Sequence, residues 1–248
     1  MAWILDLDGV VWLGDTLIPG AVEAISALRS AGERVVFATN FSASPIAVLQ
    51  QKLERFGIDG RDDVVTSAMA VATLVEPGER VLLCGGAGVR EALEARGAVV
   101  VDHGEADAVV VGYHDTFDYE RLAIAADAAR RGARLLATND DATYPSAHGL
   151  LPGTGAILAG IERASGMTAV VAGKPYPPIA DLLRARYGPV GTMVGDRPDT
   201  DGRLARVLGY RWALVLSGVT TSLSPAPDPA PDLAAASLSE LVAAELRS

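Results

Sequence analysis

The sequence predicts an α/β protein whose βα units pack on a parallel sheet, and three observations carry that expectation. Its apolar runs are short and continuous instead of alternating, as strands buried on both faces require. They are separated by alanine-rich segments with apolar residues at helical spacing, the rhythm of βα units. The polar residues with most chemical potential fall just past the ends of those runs, where open α/β sheets hold ligands.

The first strand is the run beginning at Trp3-Ile4-Leu5, which ends in Asp6-Leu7-Asp8-Gly9. Pro19-Gly20 turns the chain into a helix over 21–31, and Gly32 stops it. A strand at 34–38 ends in Thr39-Asn40, and Ser44-Pro45 reads as the start of a helix over 46–56. A short strand at 64–65 precedes Thr66-Ser67 and a helix from 68 to about 75. Pro77-Gly78 is a candidate domain boundary, beyond which the rhythm restarts. Strands are expected at 80–84, 99–101, 108–112 and 134–137, with a glycine-rich loop at 85–88 and helices over 89–96 and 119–131. Thr138-Asn139 closes the last of these strands, and residues 139–149 read as a loop. Further on, helices are expected over 155–165, 178–187, 203–208 and 239–246. Strands are expected at 169–172, 192–194 and 211–216, and residues 225–231 form a proline-rich loop.

Composition limits what such a fold can bind. Half of the 248 residues are hydrophobic, enough for a sizeable core, and the formal net charge is −10. That charge argues against nucleic acid and against anionic membranes, both of which need clustered Lys and Arg. Any anionic substrate must be attracted by local features such as a metal, a lysine or a helix N-terminus. Cys84 is the single cysteine, so no internal disulfide can form, which suits a reducing compartment. No basic-then-apolar leader and no bilayer-length apolar stretch is present, and a cytoplasmic location is expected.

Four stretches carry chemistry. Asp6 and Asp8, so close together at a strand end, should either share a proton or hold a cation, unless they are a solvated acidic turn. The pair Thr39-Asn40 is echoed by Thr138-Asn139, but the surroundings differ. The first copy runs into Ser42 and a helix start, which suits an anion; the second runs into Asp140 and Asp141, which would repel one. Lys174, in Gly173-Lys174-Pro175, can be held over a site as a point charge, or can be an ordinary surface lysine. Gly195-Asp196-Arg197-Pro198-Asp199-Thr200-Asp201 is an acidic loop after a strand, suited to a hard cation or to capping a helix. Two rival motifs fail: Glu91 occupies the third glycine position of a dinucleotide fingerprint at Gly86-Ala87-Gly88. Thr168 stands where a Walker loop ending at Lys174 needs its first glycine.

Taken together and in this order, the four stretches resemble the haloacid dehalogenase superfamily of phosphohydrolases, in particular its class IIA, the nitrophenylphosphatase-like (NagD-like) branch. The resemblance spans essentially the whole chain and includes Pro152-Gly153-Thr154-Gly155-Ala156 and Leu216-Ser217-Gly218-Val219-Thr220. It implies a Rossmann-like core at 1–77 and 173–248 with an inserted α/β cap of the C2 type at 78–172. It also implies a Mg²⁺-dependent phosphomonoester hydrolase acting on a small phosphorylated metabolite: a sugar phosphate, glycerol phosphate or nucleotide. Asp6 would be the nucleophile that forms an aspartyl-phosphate, and Asp8 the general acid and base. Thr39, the Asn40 backbone and Lys174 would hold the phosphoryl group. The Asp6 carboxylate, the Asp8 carbonyl and Asp196 would bind the metal, with Asp201 supporting through water or Lys174 and Gly9 letting the chain turn away.

The sequence departs from the family pattern at Phe41, often an Asn, and at Gly202, usually aliphatic, which would loosen the next helix. Cap loops set substrate choice in such proteins, and Phe41, Asp141, Tyr144 and His148 are the candidates here. A homodimer formed through the cap is a further implication. The alternatives are a phosphomutase and a phosphometabolite-binding regulator without catalysis.

Overall fold

A computed structural model describes residues 1–146 and 149–247. The chain begins with β1 (Ala2–Leu5), a small hairpin of β2 (Trp12–Leu13) and β3 (Thr16–Leu17), α1 (Ala21–Ser30), β4 (Arg34–Thr39), α2 (Ile46–Arg55), β5 (Val64–Thr66) and α3 (Ser67–Ala72). It continues through β6 (Arg80–Cys84), α4 (Ala87–Ala95), β7 (Val99–Val101), β8 (Ala108–Val111), α5 (Tyr119–Arg130), β9 (Arg134–Ala137), a second hairpin of β10 (Thr143–Ser146) and β11 (Gly149–Pro152), α6 (Thr154–Ser165) and β12 (Val170–Val171). Last come α7 (Pro177–Tyr187), β13 (Gly191–Gly195), a π turn (Pro198–Gly202), α8 (Arg203–Leu208), β14 (Arg211–Val215), β15 (Leu233–Ala235) and α9 (Leu238–Glu245). Two compact units result, one of Met1–Thr39, Ala47–Val65 and Lys174–Ser248, the other of Asn40–Ile46 and Thr66–Gly173.

The first unit is a six-stranded sheet in the order β15-β14-β13-β1-β4-β5. β1 lies in the middle, parallel to β13 on one side and β4 on the other, which is why every residue of Ala2-Trp3-Ile4-Leu5 is apolar and buried. Its register sets Leu5, the last residue of β1, opposite both Val194 and Phe37, so β13 and β4 run one and two residues further, to Gly195 and Thr39. Asp6 and Asp196, the first residues past β1 and β13, and Thr39, the last of β4, lie at the same edge. Among the helices, α1 turns Ala21, Ala24, Ile25 and Leu28 inward, and α7 opens on a proline, whose missing N–H costs nothing there. Ser237 caps α9 by accepting the Glu240 N–H.

The second unit holds a five-stranded parallel sheet, β12-β9-β8-β6-β7, and two helices with side-chain N-caps, α3 (Thr66) and α5 (Asp118). Leu82, Val109, Val111, Leu135, Leu158 and Ile161 form much of its core. Cys84, at the end of β6, is fully buried with its Sγ 3.7 Å from His114 Nε2, and burial pushes its thiol pKa up to about 12. Among the described residues, no helix is long and apolar enough to cross a membrane.

The structure departs from the sequence expectation in several places. The hairpin β2–β3 has strands of two residues, too short to leave a period in the sequence. The hairpin β10–β11 occupies much of the stretch expected to be a loop; a proline within β10 hides it from a strand pattern. α4 starts at Ala87, inside the glycine-rich run, and α3 ends at Ala72. The π turn was not expected either. It corrects the reading of Gly202, which is buried in that turn. A Cβ there would lie 3.0 Å from the Trp212 ring and from Pro229, so tight packing, not looseness, explains the glycine.

Candidate active site

At the shared edge of β1, β4 and β13, Asp6 is the first residue past its strand, held by its N–H donating to Val194 O at 2.9 Å. Lys174, just before α7, donates through Nζ to Asp6 Oδ1 and to Asp201 Oδ1, each at 2.7 Å. The lysine is therefore no surface residue: it is 3% exposed. Burial works against its ammonium, but Asp201 and Asp6 outweigh that and keep its pKa above the usual lysine range. Burial raises the pKa of Asp6, opposed by Lys174 and reinforced by the charge on Asp8.

Asp201 reaches the lysine from the π turn, a feature often found at functional sites. Its Oδ2 accepts the Arg197 N–H at 3.1 Å, and burial lifts its pKa to about 6. Asp199, in the same loop, instead faces solvent and pairs with Arg197. Asp196 is 1% exposed, and burial together with the charges of Asp201 and Asp6 lifts its pKa to about 7. Its Oδ2 accepts the Val219 N–H at 2.5 Å, while its Oδ1 is buried with no hydrogen-bond partner. A Cβ on Gly9 would lie 2.5 Å from this carboxylate, and Gly9 has φ +85°, so only glycine fits. Ser217 Oγ secures the same turn by donating to Gly9 O at 2.7 Å.

Among the described residues, an oxygen each from Asp6, Asp196 and Asp201 lie within 4.8 Å of one another. Three buried carboxylates facing a single ammonium leave excess negative charge, and an oxygen of Asp196 lacks any partner. An all-oxygen donor set of this charge fits a hard divalent cation.

Asp8 stands apart from that cluster, on the solvent-accessible side. Desolvation raises its pKa, opposed by the Lys52 charge and a hydrogen bond from Trp12. Lys52, on α2, lies 4.4 Å from the Trp12 ring centroid and donates to Gly14 O at 2.6 Å. Sequence reasoning missed Lys52, since a lysine on a helix carries no local signal of a distant carboxylate. It also gave no role to Ser217 and Val219. Thr39 ends β4, 4% exposed.

The remaining residues singled out from sequence belong to the second unit. Asn40 donates from Nδ2 to Asp141 Oδ2 at 2.9 Å, and Phe41 is 42% exposed. Tyr144 OH lies 2.7 Å from Tyr113 OH, with the rings edge to face. His148 lies outside the described residues. A cavity of about 530 Å³ near the carboxyl ends of β6 and β8 is lined in part by Gly86, Arg90, His103, His114 and Arg121, and by none of the residues singled out for the site.

Residues 3–99 match the family model described as haloacid dehalogenase-like hydrolase, and residues 171–241 match a second HAD-hydrolase-like model. An acid sugar phosphatase of Staphylococcus haemolyticus is 36% identical over 227 residues, covering 88% of this chain and 86% of that protein. A p-nitrophenyl phosphatase from Archaeoglobus fulgidus superposes with a TM-score of 0.92 at 32% identity, covering 98% of each chain. A glycerol phosphate phosphatase from Mycobacterium tuberculosis, solved in complex with magnesium, gives a TM-score of 0.89 at 35% identity, with 97% of this chain and 75% of that one covered.

Proposed function

Because the chain belongs to the haloacid dehalogenase-like hydrolases and is a phosphatase of their nitrophenylphosphatase-like class IIA, we propose that it is a Mg²⁺-dependent phosphomonoester hydrolase working through an aspartyl-phosphate on Asp6. Its substrate would be a small phosphorylated metabolite, a sugar phosphate or glycerol phosphate, in keeping with the relatives' own substrates. The observation that carries this reading is the Asp6 carboxylate itself. It lies at the carboxyl end of the central strand, bonded to a buried ammonium and clustered with an Asp196 oxygen that has no partner.

Asp6 attacks phosphorus, and the bond to the leaving oxygen breaks as Asp8 gives that oxygen its proton. Asp8, now a carboxylate, takes a proton from a water whose oxygen attacks the phosphoryl group, releasing inorganic phosphate and restoring Asp6. Its raised pKa and its access to solvent suit a group that must be protonated in one step and ionised in the next. Thr39, the Asn40 backbone and Lys174 hold the phosphoryl oxygens, and Lys174 also fixes Asp6. Asp6, the Asp8 carbonyl and Asp196 would hold Mg²⁺, with Asp201 steadying Lys174. The metal would supply charge neutralisation for a dianionic ester, which four carboxylates and one lysine would otherwise repel. We further propose that 1–77 and 173–248 act as the catalytic core and 78–172 as the cap.

The test is release of phosphate from p-nitrophenyl phosphate with and without Mg²⁺, and then from sugar phosphates and glycerol phosphates. Metal-dependent turnover, lost in Asp6→Asn, is the expected result. Full activity in Asp6→Asn would overturn the mechanism, and binding without turnover would favour a regulator.

A further inference from the structure

The repeated Thr-Asn pair has a role that neither copy reveals alone. Within the second unit, Asn139 Nδ2 donates to the Asn40 carbonyl at 2.9 Å, and Ser67 Oγ donates to the same oxygen at 2.7 Å. The Asn40 side chain in turn donates to Asp141 Oδ2 at 2.9 Å, and Asp141 N–H returns to Asn139 Oδ1 at 3.2 Å. A further bond, Ser42 Oγ to Thr138 Oγ1 at 3.2 Å, ties the loop after Asn40 to the second copy. Ser42, Ser67, Thr138 and Asn139 are all buried, at 4% exposure or less, while Asn40 and Asp141 are half-buried, so the bonds to Asn40 are largely sheltered from water. Gly173, the residue before Lys174, lies against the same group: a Cβ there would come within 2.5 Å of Asn40 Oδ1.

We propose that Asn139, Ser67 and Asp141 are positioning residues for phosphate binding, holding Asn40 in the one orientation that serves its loop. The proposal rests on the reading that the Asn40 backbone contacts the phosphoryl group. A carbonyl oxygen has two lone pairs, and here each takes a donor. With the carbonyl and the side-chain amide both anchored, residue 40 cannot turn about its own ψ or χ1 without breaking one of these bonds. The planar trans peptide passes that constraint to the Phe41 N–H. Donors fixed before the anion arrives are worth far more than donors that must be ordered by it. The acidic neighbour of the second copy also finds its purpose. Asp141 receives the Asn40 amide, so it acts through Asn40 and not on the substrate.

The experiment uses the full chain with Mg²⁺ and an aryl phosphate, reading kcat, KM and the inhibition constant of inorganic phosphate for Asn139→Ala, Ser67→Ala, Asp141→Ala and Asp141→Asn. Losing one of these bonds to Asn40 should raise both KM and the phosphate inhibition constant by about tenfold. The increase should be alike for several esters, with thermal stability retained in at least one variant. Asp141→Asn still offers an oxygen to the Asn40 amide and should lose less than Asp141→Ala. An unchanged phosphate constant with only kcat reduced would mean a smaller active fraction and would overturn the proposal. So would an effect confined to one ester, since that marks direct substrate contact. Thr39→Ala separates the two levels. If it weakens phosphate inhibition while the Asn139 and Asp141 variants do not, positioning fails and the phosphatase reading stands. If intact protein neither turns over an ester nor is inhibited by phosphate, both fail.

Discussion

Lys174 Nζ donates to Asp6 Oδ1 at 2.7 Å across 168 residues of sequence, in a spot that solvent hardly reaches. Removing one partner of such a buried pair strands the other's charge, so Lys174→Ala should lower stability by about 3–5 kcal/mol. Activity should fall by at least about a hundredfold if, as proposed, the same ammonium holds the phosphoryl group. Thermal melts and p-nitrophenyl phosphate kinetics check both. A variant that melts like the parent would show that the lysine is not paired as described.

Asp8 should matter in proportion to the difficulty of the leaving group. A nitrophenolate departs without a proton, whereas the alkoxide of a glycerol or sugar phosphate does not. Asp8→Asn should therefore lose about 10²–10⁴-fold on an alkyl phosphate and markedly less on p-nitrophenyl phosphate. Equal losses on both would remove Asp8 from the role of acid.

Metal removal should have a pH signature. Asp196 and Asp201 have folded pKa values raised to about 7 and about 6, above the ordinary aspartate value. A raised carboxyl pKa means that the folded state prefers the proton. That stability is fully present below the unfolded pKa and is lost as pH rises through the folded values. Chelator-treated protein should thus melt several degrees lower at pH 8 than at pH 5, and Mg²⁺ should restore more at the higher pH. Asp196→Asn, neutral throughout, should flatten the profile. A melting temperature that rises with pH in chelator would contradict the burial of these groups.

Asp232 predicts the opposite slope on the surface of the same unit. It accepts the Trp212 N–H at 2.7 Å and an Arg206 bond at 2.8 Å, which hold its pKa below the usual range. That contribution is present above the unfolded pKa and disappears as pH falls through the folded one. Asp232→Asn should cost about 1 kcal/mol or less near pH 7, given its exposure, and nothing in acid. Denaturant titrations at pH 7 and pH 3 read the difference.

Much of this was legible from the residues alone, for a physical reason. A strand buried on both faces must be apolar throughout, so Trp3-Ile4-Leu5 stands out, and the polar residue at its carboxyl end necessarily sits at a sheet edge. Asp6, Thr39 and Asp196 were found that way, and the resemblance assigned them roles. Lys174 was found the same way, after the run at 169–172, but its burial was not legible, because it comes from meeting Asp6 and Asp201, which lie elsewhere in the chain. The π turn that aims Asp201 and the bond from Asn40 to Asp141 are likewise products of tertiary packing. The short hairpins escaped because two-residue strands have no period to read.

Cys84 is fully buried, and at neutral pH almost none of its thiol is ionised. Thiolate, not thiol, reacts with maleimides and oxidants. As it is also the single cysteine of the chain, the protein is a natural blank for thiol chemistry. Two cysteines introduced at chosen positions would become the sole labelling sites, so the distance between them can be measured by fluorescence or spin probes without first removing a native residue.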